Sequence, residues 1–136
     1  MQYRYDIYTP NDQENSSGTV SEKQAISYSE FERLFLSMQW DQYPASPTIS
    51  IYKESDLPLL WVALFATSEN EDKARMFIMG YKRMEKKKGF LGFGKTTLKP
   101  KMTMHYTEGS AGVLKLFREF FSYDPAGMLT AVDNCD

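Results

Sequence analysis

Apolar and polar residues alternate from the first positions of the chain, with Tyr3, Tyr5 and Ile7 on one side and Arg4, Asp6 and Tyr8 on the other. That period of two predicts a half-buried strand, which Pro10 ends. Residues 11–24 are polar, include a Ser-Gly pair and show no apolar period. They predict a mobile loop, with a short strand near 19–21 as the one regular piece.

The period then changes to that of a helix. Ser27 and Glu30 have capping-box spacing, and Phe31, Leu34, Phe35 and Met38 form one apolar stripe at i, i+3, i+4 and i+7. The spacing predicts a helix over about 28–39. Pro44 and Pro47 punctuate the loop behind it, because neither can donate a backbone hydrogen bond. Trp40, one step past the stripe, is expected in the core.

From 48 to 106 the text is that of an antiparallel meander. Ile49 and Ile51 alternate with Ser50 and Tyr52, and a turn at 55–58 leads into the continuous β-favouring run Leu59 to Ala66, as in a strand covered on both faces. Asn70, Glu71 and Asp72 mark a reversal before a third strand over 74–84; residues 86–95 make a long basic, Gly-rich hairpin tip, and a fourth strand covers 96–106. In that last strand Leu98, Pro100, Met102, Met104 and Tyr106 share one face, while Thr97, Lys99, Lys101, Thr103 and His105 share the other. Pro100 predicts an edge strand, since it cannot serve a ladder on both sides. A second helix is predicted over 110–122 from Val113, Leu116, Phe117, Phe120 and Phe121; Asp124-Pro125 stops it, and 124–136 is a tail, either a short helical turn or a loose end. The fold expected is a single α+β domain, with an antiparallel four- to five-stranded meander packed against two amphipathic helices.

At 136 residues one core is expected, and 20 aromatic residues (Phe 9, Tyr 9, Trp 2) argue against disorder. One cysteine, Cys135, excludes an internal disulfide and a cysteine metal cluster. The start of the chain lacks an apolar segment behind a charged one, and the longest apolar run is far short of the roughly 20 residues that span a bilayer, so a cytoplasmic protein is expected.

Candidate chemistry is sparse. His105, the sole histidine, lies on a polar strand face with no nucleophile in a recognised setting, which predicts a surface histidine rather than a base. None of the hydrolase, zinc-protease, P-loop or dithiol motifs occurs. No enzyme activity, metal or cofactor is therefore expected. The glycines of 88–95 (KGFLGFGK) are followed by strand text, whereas a phosphate cradle opens a helix.

Charge is distributed unevenly. Between Lys82 and Lys101, eight basic residues (Lys82, Arg83, Lys86, Lys87, Lys88, Lys95, Lys99, Lys101) stand against Glu85, a local +7, which leaves −9 on the rest of a chain whose net charge is −2. Two kinds of partner follow from this map. The first is a protein: aromatic and acidic side chains at Tyr3, Tyr5, Asp6, Tyr8, Asp41 and Tyr43 suit the hot spots of a small acidic inhibitor or immunity-type protein that masks a toxin or enzyme. The second is nucleic acid or an anionic membrane surface, met by Lys86, Lys87, Lys88, Lys95, Lys99 and Lys101 with Phe90 and Phe93. A sequence pI of about 5.5 ranks it below the first. A small-molecule carrier or enzyme, third, requires a pocket between sheet and helices.

Overall fold

β1 (Tyr3–Pro10) is the strand predicted from the opening alternation, and the chain turns back along it in two successive pieces, β2 (Gly18–Val20) and β3 (Gln24–Ala25). In this computed structural model the described residues are 3–14, 16–53, 57–67, 75–87, 97–122 and 125–133. Then come α1 (Tyr28–Ser37), a 3-10 turn at Trp40–Gln42, β4 (Thr48–Lys53), β5 (Leu59–Thr67), β6 (Arg75–Lys87), β7 (Thr97–Glu108), α2 (Ser110–Phe121) and α3 (Pro125–Asp133). The protein is an α+β domain, with one antiparallel sheet in the order β2-β1-β4-β5-β6-β7, β3 also paired to β1, and helices against one face.

The strand count exceeds the expected four or five because segment 18–25 adds β2, the short strand expected near 19–21, and a further piece, β3. The segment follows the outer edge of β1, with Val20 opposite Tyr8 and Ala25 opposite Arg4. Ser21 bridges the gap: its hydroxyl accepts from the Ile7 amide at 2.8 Å, and its own amide donates to the Ile7 carbonyl at 3.0 Å. Backbone groups on an open edge need partners, and a polar segment can supply them with no apolar period to announce it. The sheet also departs from a simple meander, because β1 pairs with β4 after the excursion through α1.

α1 begins with the predicted capping box. The Glu30 amide donates to Ser27 Oγ at 3.2 Å, and the Ser27 amide donates to Glu30 Oε1 at 3.1 Å. Phe31 and Phe35 point into the core, where Phe31 stacks on Phe117 of α2 with ring centres 4.2 Å apart. Phe35 in turn meets Trp40 at 5.6 Å and Phe77 of β6 at 5.1 Å, so Trp40 is a core residue as expected. α3 occupies the tail region, with Met128 and Val132 buried in the same core. The turn residues 54–56 and 68–74 lie outside the described residues, as do 88–96 and 134–136.

Residues opposite one another in a ladder share a face, and this fixes which side of each strand meets the helices. Ile49 and Ile51 lie opposite Val62 and Leu60, which lie opposite Met79 and Tyr81, and all six are buried under the helices. The same register sets Thr107 opposite Phe77, His105 opposite Met79 and Thr103 opposite Tyr81. The polar alternation of β7 is therefore the side that faces the helix layer, and its apolar alternation faces outward. This corrects the expectation for His105, which is half-buried on the helix side and not a surface residue of an outward polar face. The physical reason is room. A Cβ on Gly112 of α2 would run into Oγ1 of Thr107, so the helix passes too close to β7 for a large side chain there.

Candidate functional site: the uncovered sheet face

The outward face is built by β5, β6 and β7. Phe65, Met84, Leu98, Met102, Met104 and Tyr106 are each 43–61% exposed. Cross-strand pairing places Met104 beside Gly80, Tyr106 beside Ile78, and Pro100 beside Met84. At Phe65 the ladder between β5 and β6 slips by one residue, and the Phe65 ring meets Tyr106 edge-on at 5.1 Å. A bulge of this kind turns a side chain out of the regular alternation. In the middle of the face, Trp61 lies across Gly80, where a Cβ would collide with its indole. Only glycine leaves space for the ring there.

A contiguous apolar face of this kind, bare to solvent beside an edge strand, marks an interaction surface or an aggregation hazard. Two charges stand on the same side of the sheet, one within the patch and one at its end. Lys82 lies opposite Met102, and Glu108, exposed at the other end of β7, lies opposite Met76. Methionines adapt their shape to whatever covers them, and aromatics supply large rigid contacts.

The six acidic and aromatic candidates do not form one surface. Tyr3 and Tyr5 share the helix side of β1 with Ile51 and pack against the core; the Tyr3 hydroxyl donates to the Phe120 carbonyl at 3.0 Å. Asp6 is on the opposite side and only 6% exposed, with the Tyr52 hydroxyl donating to its Oδ2 at 3.0 Å. Its carboxylate is enclosed and not offered to a partner, because the neighbouring strand brings a tyrosine across it. Tyr8 lies against Gly18. Asp41 forms an exposed ion pair with Arg75 at 2.7 Å, and the Tyr43 hydroxyl points at Met38 Sδ, 3.8 Å away. These contacts come from β1, β4 and the turn after α1, and sequence spacing could not show that each residue serves a separate local structure.

The basic candidates divide similarly. Lys88, Phe90, Phe93 and Lys95 lie outside the described residues, as do the side chains of Lys86 and Lys87. Of the others, Lys82 is on the outward face, while Arg83, Lys99 and Lys101 share the opposite one. Arg83 lies 5.1 Å over the Tyr81 ring and 3.4 Å from Glu85, which Lys101 also approaches at 3.5 Å. Lys99 is exposed.

For a small-molecule site the described residues offer open clefts, among them one of about 530 Å³ lined by Tyr3, Tyr28, Arg118 and Phe121. Here the Tyr28 hydroxyl lies 3.3 Å from the Leu114 carbonyl, which ties α1 to α2, and 3.2 Å from Glu32 Oε2 within α1. Burial pushes the Tyr28 phenol above its ordinary value of 10.0; the neighbouring Arg118 guanidinium opposes that rise and Glu32 adds to it. Both polar neighbours act on the packing of two helices, and the cleft holds no nucleophile with its base. Among the described residues no three His, Cys, Asp or Glu side chains gather as a metal site, and no helix is long and apolar enough to cross a membrane.

The apolar row of β7 was legible in the sequence, but its direction was not. The strand's own polarity points the other way: Thr103, His105 and Thr107 are poor material for a core yet lie opposite Tyr81, Met79 and Phe77. No family model, curated protein or solved structure matches the chain.

Proposed function

We propose that the chain is a non-catalytic protein-binding module and that its partner sits on the outward face of β5, β6 and β7. One observation carries this: six large apolar side chains, 43–61% exposed, crowd one face of a sheet whose other face already has a complete core. Leaving such a patch in water forgoes about 25 cal/mol for every Å² that a partner would cover. The narrower form of this function, an acidic inhibitor or immunity-type protein masking a toxin or enzyme, is supported by the chain's size and by the −9 charge outside 82–101. In that form the acidic remainder steers a basic partner.

Methionine oxidation footprinting tests this. Met102 and Met104 are exposed, whereas Met79 is fully buried and sets the floor. In a native extract of the source cells, Met102 and Met104 are expected to oxidise several-fold more slowly than in the purified protein diluted to about micromolar concentration. Equal rates would overturn the proposal.

A further inference from the structure

We infer that the occupant of this face is a second copy of the chain, stacked face to face with its strands running in the opposite direction. The inference rests on the proposal that the outward face is a binding surface, and it names the partner. The argument comes from how Lys82 and Glu108 are placed on the face. Glu108 and Lys82 project from the same side of the sheet, and Lys82 is level with Met102, six residues along β7 from Glu108. At about 3.4 Å per residue they are separated by roughly 20 Å along the strands. Midway between them lies the row of Met104, Tyr106, Phe65 and Trp61, the most aromatic part of the face.

Consider a two-fold axis lying in the interface. If it runs across the strands through this central row, it reverses strand direction. Lys82 of each copy then arrives over the β6–β7 end that carries Glu108 of the other, and the apolar rows meet between these two symmetric pairs. If it runs along the strands, Lys82 faces Lys82 and Glu108 faces Glu108. Like charges set opposite each other across an interface repel, so the charge pattern admits the first arrangement and opposes the second. Such a self-complementary patch is what an isologous two-fold contact requires. The natural right-handed twist of each sheet lets two such faces pack at about 30°, roughly 10 Å apart.

Size sets the strength. Three strands about 4.8 Å apart, over the six residue steps from Met102 to Glu108 that this axis superposes, give a flat footprint of roughly 300 Å² per copy. Two such faces total about 600 Å², below the roughly 1,000 Å² at which stable specific interfaces begin, so the association is weak and reversible, with a dissociation constant on the order of 100 µM.

Sedimentation equilibrium of the purified full chain, from about 1 to 300 µM, is the test. A monomer–dimer equilibrium with protection of Met102 and Met104 rising in step supports the inference. Lys82→Glu and Glu108→Lys are each expected to weaken the dimer at least about tenfold, and the double exchange to restore it to within about threefold of the original. Since restoration requires a folded protein, it separates lost charge pairing from lost fold. Monomer throughout this range overturns the inference. If the methionines are nevertheless protected in the extract, the face belongs to a different protein and the proposed function stands; if they are exposed there too, both fail. A dimer that neither charge reversal weakens would also overturn the antiparallel arrangement.

Discussion

If β7 has the register described, two methionines on adjacent strands should differ sharply in what they contribute to stability. Met79 of β6 is fully buried on the helix side, whereas Met104 of β7 is 46% exposed on the outward side. Truncating a buried methionine to alanine loses its transfer free energy and leaves a cavity, at a cost of about 2–5 kcal/mol. Complete burial of such a side chain is worth about 1.5–3 kcal/mol, and with nearly half of Met104 in water only about 1 kcal/mol is left to lose. It leaves no enclosed cavity. Urea unfolding of Met79→Ala and Met104→Ala at about 1 µM, where self-association is negligible, measures both. With a slope of about 1–3 kcal/mol per molar, Met79→Ala should lower the midpoint by roughly 1–2 M or more, and Met104→Ala by roughly 0.5 M. A slip of one residue in β7 would exchange the two faces, carrying Met104 inward and His105 out. A Met104→Ala loss equal to that of Met79→Ala would therefore refute the register, and the outward apolar face with it.

Three further outcomes are expected. Tyr52→Phe removes the hydroxyl that donates to the buried Asp6 carboxylate, and should cost about 1.5–3 kcal/mol in urea unfolding, against a few tenths if the carboxylate is well solvated. Gly80→Ala drives a methyl into the Trp61 indole, so it should destabilise by about 1–3 kcal/mol and red-shift the tryptophan emission as the ring lifts into water; an unchanged spectrum would contradict the close approach. For Tyr28, the raised pKa means that above pH 10 the unfolded phenol loses its proton while the folded one retains it, so stability falls as pH rises through the folded value. Tyr28→Phe should therefore have a shallower alkaline decline in unfolding free energy than the parent chain, and an identical slope would show that the phenol is not buried as described.

Much of the fold was legible because it depends on local chemistry. Ser27 and Glu30 start α1 wherever the helix packs, since their two hydrogen bonds close within one turn. The aromatic spacing of Phe31, Phe35, Phe117 and Phe120 selects one stripe on each helix, and both stripes lie in the core. Pro100 identified an edge strand because the missing amide is a property of the residue itself. What remained hidden depends on partners distant in sequence. Residues 18–20 form the short strand expected near 19–21, but the second piece at 24–25 depends on the open edge of β1, and Asp6 and Tyr3 are engaged by Tyr52 and Phe120, residues that no local pattern connects to them.

The division is clearest in β7. An alternating sequence shows that a strand has two unlike faces, and composition alone tells which of them is apolar. It does not tell which one the rest of the protein will cover. That was decided when β6 committed Phe77, Met79 and Tyr81 to the helices and α2 came within reach of Thr107, because paired strands must share their faces and a close helix has no space for bulk.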